Sequence, residues 1–306
     1  MRRSIFCILV IVSLTMSAGA ASCTRELTSG GEQSRGPFSV NQIPSGQLSA
    51  GETSQAVQGS GGGLESVRST ASPELIPDET GGSTNPEVVT LMTEARAALT
   101  GGDYQTAIAK LTSVIELEPN NTRALYNLGY AYRQTGDKAK AIEFAQRAVE
   151  SNPDQIYVHQ GLGYAYMDNG QTEKAMAEFE EELRRHPDEP RLTGIALKLV
   201  DIYLQRGLSD EAFDAANRAV KLQPQNPAAQ AALGRVQMQN GAYEQAVAAF
   251  NQAVALAPNS ATYHKLLADA LWEADRKEEA RKAYGDAIRL DPAVAEQIPS
   301  DRLQNR

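Results

Sequence analysis

The sequence predicts an all-α solenoid of six helix-turn-helix units, and three observations carry that reading. Pro119, Pro153, Pro187, Pro224, Pro258 and Pro292 are spaced 34, 34, 37, 34 and 34 residues apart, a fixed period at which each unit buries its apolar face only against its neighbours. The pentapeptide "LGYAY" stands at 128–132 and again at 162–166, in step with that period. Between successive prolines the chain alternates a helical run, a turn and a second helical run, as in "NTRALYNLGYAYRQTGDKAKAIEFAQRAVESN" at 121–152.

The elements follow in chain order. The chain opens "MRRSIFCILVIVSLTMSAGAASCTREL", with Arg2 and Arg3 ahead of a nearly apolar run at 5–16. A spanning helix needs about 20 apolar residues, more than this run offers. Small residues follow at 17–22, which is the layout of an export signal, so residues 1–22 are expected to be a signal peptide. Two cleavage points compete. Ala18-Gly19-Ala20 suits an ordinary signal peptidase, whereas Ala20-Ala21-Ser22-Cys23 resembles the lipobox of bacterial lipoproteins, with Ala20 where leucine is usual.

In the lipoprotein family the peptide is cut before the cysteine, which is then lipidated, so the resemblance marks Cys23 as the lipidation site. The chain's two cysteines are Cys7 and Cys23; loss of the first with the signal leaves no intramolecular disulfide and a lone thiol that acylation would cap. Several acyl chains hold a protein stably on a membrane. The implied location is the cell envelope, lipid-anchored on the outer membrane and facing the periplasm in a two-membrane host. A chain cut after Ala20 would instead be secreted or periplasmic.

Residues 23–85 hold Cys23 and then a stretch rich in Gly, Ser, Thr, Gln and Glu, including "GSGGG" at 59–63. No period of 2 or 3.6 is sustained there, and such a composition buries too little surface to offset chain entropy. A disordered linker is expected, with an r.m.s. span on the order of 40 Å. Asn85-Pro86-Glu87 then supplies an N-cap, a proline at the first helical position and an acid in the first turn. The solenoid is expected to begin there, with units at 86–119, 120–153, 154–187, 188–224, 225–258 and 259–292, followed by a short cap or tail at 293–306.

In the second unit Leu125, Leu128 and Tyr132 fall within about 60° of each other at the helical period. Arg123, Tyr126, Asn127, Tyr130, Arg133 and Gln134 lie on the opposite side. Small residues stand where two helices must cross closely, Gly129 in the first run and Ala141 in the second. Gly136 suits the turn between them because glycine accepts positive φ. Three extra residues in the fourth unit, around 188–192, are expected to add about one turn before its first helix.

This order of small residue, aromatic, turn glycine, alanine and proline is similar to the tetratricopeptide repeat family. The third unit carries it as Leu162, Gly163, Tyr166, Gly170, Ala175, Phe179 and Pro187; the fifth as Leu233, Gly234, Gly241, Ala246, Phe250, Ala253 and Pro258. The fourth places Val200 at the small position, and the sixth places Asp275 at the turn glycine. The resemblance implies a right-handed solenoid that binds a protein or peptide in a concave groove lined by the first helix of each unit. Carried over position by position, that groove presents Arg96, Arg123, Tyr126, Asn127, Tyr130, Tyr157, Gln160, Tyr164, Lys198, Asp201 and Arg235. Tyr132 and Tyr166 are assigned to the core, Tyr130 and Tyr164 to the groove, and tyrosine with arginine dominates interface hot spots. Replacing Tyr126, Tyr130 and Tyr164 with alanine is expected to abolish partner capture and leave helicity intact.

Chaperone-binding members of the family clamp a carboxylate with Lys, Asn, Asn, Lys and Arg. This chain has Met92, Arg96, Asn127, Tyr157 and Gly161 at those places, so only Asn127 matches. No catalysis is expected: the chain lacks His-Glu-x-x-His, G-x-S-x-G and G-x-x-x-x-G-K patterns, and His159, His186 and His264 read as packing residues rather than metal ligands. No cofactor is implied. A formal net charge of −9 disfavours a nucleic-acid partner, whose phosphates want a basic face. The whole resembles the tetratricopeptide lipoproteins that assist pilus assembly, of the type IV or tight-adherence kind. Adaptors for peptidoglycan hydrolases or synthases, and non-catalytic subunits of envelope enzyme complexes, are the alternatives.

Overall fold

The computed structural model describes residues 83–303; the expected signal peptide, Cys23 and nearly all of the expected linker lie outside them. The described chain is all helix and connection, without strands. Twelve helices run in six consecutive pairs: α1 (Pro86–Thr100) with α2 (Tyr104–Leu117), α3 (Thr122–Thr135) with α4 (Lys138–Ser151), α5 (Val158–Asp168) with α6 (Thr172–Arg185), α7 (Thr193–Arg206) with α8 (Ser209–Leu222), α9 (Pro227–Gln239) with α10 (Tyr243–Leu256), and α11 (Ala261–Glu273) with α12 (Lys277–Leu290). A 3₁₀ stretch at Pro292–Gln297 and a last turn, α13 (Ser300–Leu303), complete it.

Local chemistry sets the boundaries. Asn85, Asp103, Asn121, Asp137, Asn226 and Ser260 each cap a helix by accepting a backbone N–H, worth about 1 kcal/mol apiece. Gly136 ends α3 at φ 82°, as its place in the turn required. Asp275 holds the equivalent left-handed conformation at φ 58°, which an aspartate tolerates better than most residues. The three extra residues of the fourth unit form a 3₁₀ turn at Pro190–Leu192 ahead of α7.

Each helix packs on the next, and the first helices of neighbouring units also meet, α3 on α5, α7 on α9 and α9 on α11. The α6–α7 junction is the thinnest of these successive contacts, because the inserted turn displaces α7. Polar side chains of α7 bridge it, Arg206 donating to Glu173 at 2.7 Å and the Tyr203 hydroxyl to Glu180, while Arg218 on α8 donates to the Leu183 carbonyl.

Inside each pair the core is complementary at a spacing of 16 residues: Ala95 with Leu111, Gly129 with Ala145, Gly163 with Phe179, Val200 with Ala216, Gly234 with Phe250, Ala268 with Tyr284. All of these residues are buried. The glycine pairs are tight. A Cβ at Gly163 would stand 2.5 Å from the Phe179 ring, and one at Gly234 2.7 Å from Phe250. Val200 is accommodated where the family favours a small residue because the small partner is Ala216, both being fully buried.

Candidate functional site

The first helices of the first five pairs carry the expected groove residues, with Tyr157 just ahead of α5, and packing between them decides which side chains are available. Tyr126 is only 7% exposed. It lies against α5, where a Cβ on Gly161 would meet its ring at 2.7 Å, so neighbouring first helices seal this face. Asn127 and Gln160 are buried beside it. Tyr126, Asn127 and Gln160 are therefore largely covered where neighbouring first helices pack. The alanine test on Tyr126 would remove core as well as surface.

Tyr157 is covered more fully still. It is 1% exposed and adopts φ 78°, because α5 begins two residues later than the 34-residue period places it. Its backbone N–H donates to Glu182 Oε1 at 2.7 Å, and the Gln160 N–H donates to Oε2 at 3.0 Å. Glu182, fully buried on α6, thus caps a helix that has no side-chain cap of its own. Burial raises its pKa above the ordinary carboxylate value, against the lowering effect of those two N–H groups. Only a structure reveals this device, since the cap lies 25 residues away from Tyr157 along the chain.

The remaining expected residues separate into two clefts and an aromatic stretch. Arg96, exposed, and Arg123, half-buried, line a cleft of about 630 Å³ between α1 and the start of α3, with Met92 and Val89 as its apolar wall. Desolvation lowers the Arg123 pKa from its ordinary value. Tyr130 is half-buried, edge-on to Tyr104 with centroids 6.3 Å apart, and burial pushes its hydroxyl up to about 12. Tyr164 lies edge-on to Phe179 at 5.1 Å, with the Arg133 guanidinium 5.0 Å above its ring. Arg133 is oriented in turn by Asp168 at 2.8 Å.

On the other side of the α6–α7 junction, Arg235 donates to Asp201 at 2.7 Å, so two expected groove residues from adjacent units pair with each other. Lys198 is half-buried on the same helix as Asp201. Arg235 borders a second cleft, of about 520 Å³, built by α7, α9 and α11 with Phe250 behind them. Leu204, Met238 and Leu266 supply its apolar surface, and Gln239 and Asp269 its polar rim. Sequence reading missed these three apolar residues because a half-buried Leu or Met at helical spacing looks like core.

Among the described residues no group of three or more His, Cys, Asp or Glu is placed to hold a metal, and no helix is long and apolar enough to cross a membrane. His159 Nδ1 lies 2.7 Å from the Glu178 carboxylate, which accepts, and His264 Nε2 lies 2.9 Å from the Pro258 carbonyl. A carboxylate clamp has no room at its last position: any side chain at Gly161 would enter the Tyr126 ring.

The family model for the tetratricopeptide repeat matches residues 92–156, 161–227 and 231–295. No curated protein matches the chain. Among solved structures, YrrB, described as a tetratricopeptide repeat protein with an unusual peptide-binding site, is 19% identical with a TM-score of 0.53, over 61% of this chain and 98% of its own. A tetratricopeptide repeat protein from Parabacteroides merdae is 18% identical, TM-score 0.53, over 72% of this chain and 83% of its own. The C-terminal part of one from Cytophaga hutchinsonii is 16% identical, TM-score 0.56, over 66% and 80%. At such identities the likeness is one of fold.

Proposed function

Because the chain belongs to the tetratricopeptide repeat family, whose members are generally non-catalytic scaffolds, we propose that it is a protein-interaction scaffold that holds a peptide segment of its partner against α7, α9 and α11. The cleft of about 520 Å³ carries this reading. It is shallow and open, apolar at its base and rimmed by a few polar groups, a make-up that suits a segment of a protein partner. YrrB, similar in fold, is described as having a peptide-binding site, which supports a peptide as the occupant. The aromatic stretch of Tyr130 and Tyr164 extends the surface on the other side of the junction.

The proposal also places the protein in a bacterial envelope, lipid-anchored through Cys23, where it assists assembly of a pilus or secretion complex. The export-signal layout and the cysteine that follows it support this part. Metabolic labelling with a fatty acid tests the anchor: label is expected on the full-length protein and absent from Cys23→Ser, and label-free wild type would remove the lipid. Affinity capture from detergent-solubilised envelope tests the partner, with the full chain beside Leu204→Gln/Met238→Gln/Leu266→Gln. Pilus or secretin components lost from the variant support the assembly role, whereas cell-wall enzymes lost from it would make the protein an adaptor. Equal capture by both would move the working surface away from this cleft.

A further inference from the structure

The far end of that cleft meets a group the proposed function does not use. After α12 the chain turns back through the 3₁₀ stretch, burying Val294 and Ile298 in the core of the last two units, and Arg302 on α13 reaches α11. Its Nη1 donates to Asp269 Oδ1 at 3.2 Å and to the Tyr284 hydroxyl at 3.0 Å, and its Nη2 donates to Glu273 Oε1 at 3.0 Å. The guanidinium carbon lies 5.4 Å from the centre of the Trp272 ring. Two carboxylates, a hydroxyl and an indole face thus surround one planar cation, the arrangement that suits arginine better than lysine. Asp269 is held for this task on both oxygens, accepting from the Tyr284 hydroxyl at 2.6 Å and from Lys265 at 2.9 Å.

Asp269 belongs to two sites at once. It receives Arg302 and it rims the apolar cleft of Leu204, Met238 and Leu266. We infer that this box is an arginine-recognition subsite of the cleft, that Arg302 occupies it as an internal stand-in, and that the partner segment presents an arginine flanked by apolar side chains which displaces it. This inference rests on the peptide-binding reading of the cleft and names the chemistry of the occupant. Arg302 is replaceable because an incoming guanidinium would make the same contacts, and its partners are reachable from solvent, Asp269 keeping 22% and Glu273 38% of their side-chain surface exposed. Val294 and Ile298, by contrast, keep the preceding stretch packed whether or not Arg302 is in place.

The sole tryptophan of the chain is Trp272; Lys277 and Arg281 also lie over its ring, at 5.8 and 5.7 Å, so its emission reads the box through the contrast between paired peptides. The probe is acetyl-Leu-Arg-Leu-amide, with acetyl-Leu-Ala-Leu-amide as control, titrated into the full chain. Saturable change in Trp272 emission is expected with the arginine peptide alone. Arg302→Ala is expected to bind it about tenfold more tightly, the factor imposed by a competing contact closed about 90% of the time. Asp269→Asn is expected to lose the response. Equal response to both peptides, or none to either, overturns the inference. If Arg302→Ala loses helicity, the wild-type titration decides alone, and an unresponsive wild type makes Arg302 a structural cap. Failure here together with loss of partner by the triple-glutamine variant would leave the proposed function standing and remove only the arginine chemistry.

Discussion

In the second unit Tyr132 stacks flat on Phe144, with centroids 5.4 Å apart and planes 8° from parallel. Its counterpart in the third unit, Tyr166, is 7% exposed, and its hydroxyl accepts from Gln146 Nε2 at 3.0 Å. The same five residues, "LGYAY", surround both tyrosines. The difference comes from the facing helix. Sixteen residues beyond the glycine, the second unit has Ala145 and the third has Phe179. Phe179 fills the space beneath Gly163, whereas a Cβ added at Gly129 would stand 3.2 Å from the Ala145 backbone, and the neighbouring ring, Phe144, is left half-buried at the edge. A repeated sequence therefore fixes the helix and leaves the burial of its side chains to the partner helix.

The largest way to break this comparison is to remove the two rings. Phe179→Ala is expected to destabilise by about 3–5 kcal/mol, as for a fully buried aromatic. Phe144→Ala should cost less, about 1–2 kcal/mol, because its ring is only half-buried. Equal losses in denaturant unfolding would show that the half-buried ring matters as much as the buried one. Smaller effects are expected at the glycines. Gly163→Ala drives a methyl into Phe179 and should cost about 1–3 kcal/mol, while Gly129→Ala needs a shift of tenths of an ångström and gains up to about 1 kcal/mol of helix propensity. In a double-mutant cycle, Phe179→Ala should absorb most of the cost of Gly163→Ala; additivity would mean that the two do not touch.

Smaller again, Tyr166→Phe is expected to lose about 1 kcal/mol with its hydrogen bond to Gln146, whereas Tyr132→Phe should be close to neutral. The finest contrast is read as a slope against pH, through two adjacent glutamates on α6. The Arg184 side chain, helped by Arg185, holds Glu181 at about 2, so its stabilising share is present above about 4.3 and falls away on acidification. Glu182 is raised by burial, so its share is greatest below about 4.3 and is lost as pH rises through its elevated value. The stability difference between wild type and Glu181→Gln should shrink as pH falls, and that between wild type and Glu182→Gln should grow. Parallel slopes would remove the opposition.

The candidate site was less legible than the fold, for a reason visible in particular residues. Arg96, Arg123 and Arg235 border clefts as residues on the inner side of their helices should. Tyr126, Asn127 and Gln160 share that helical face and are covered by the next unit. Helical spacing gives direction from one axis, and coverage depends on how far the neighbouring axis lies, which Gly161 sets by admitting the Tyr126 ring. Arg302 carried no signal at all, since its partners Asp269 and Glu273 lie 33 and 29 residues back along the chain.

By itself the sequence determined the helical pairs. Their period, caps and turn residues are local properties, decided within a few residues of chain by backbone sterics and hydrogen bonding. The inserted turn at Pro190–Leu192 was equally legible as three surplus residues. Only the tertiary structure decided which faces stay open, that Glu182 caps α5 from another helix, and that Arg302 closes on Trp272. Those outcomes depend on distances between helices, and such distances follow from the paired volumes of residues that no local pattern joins.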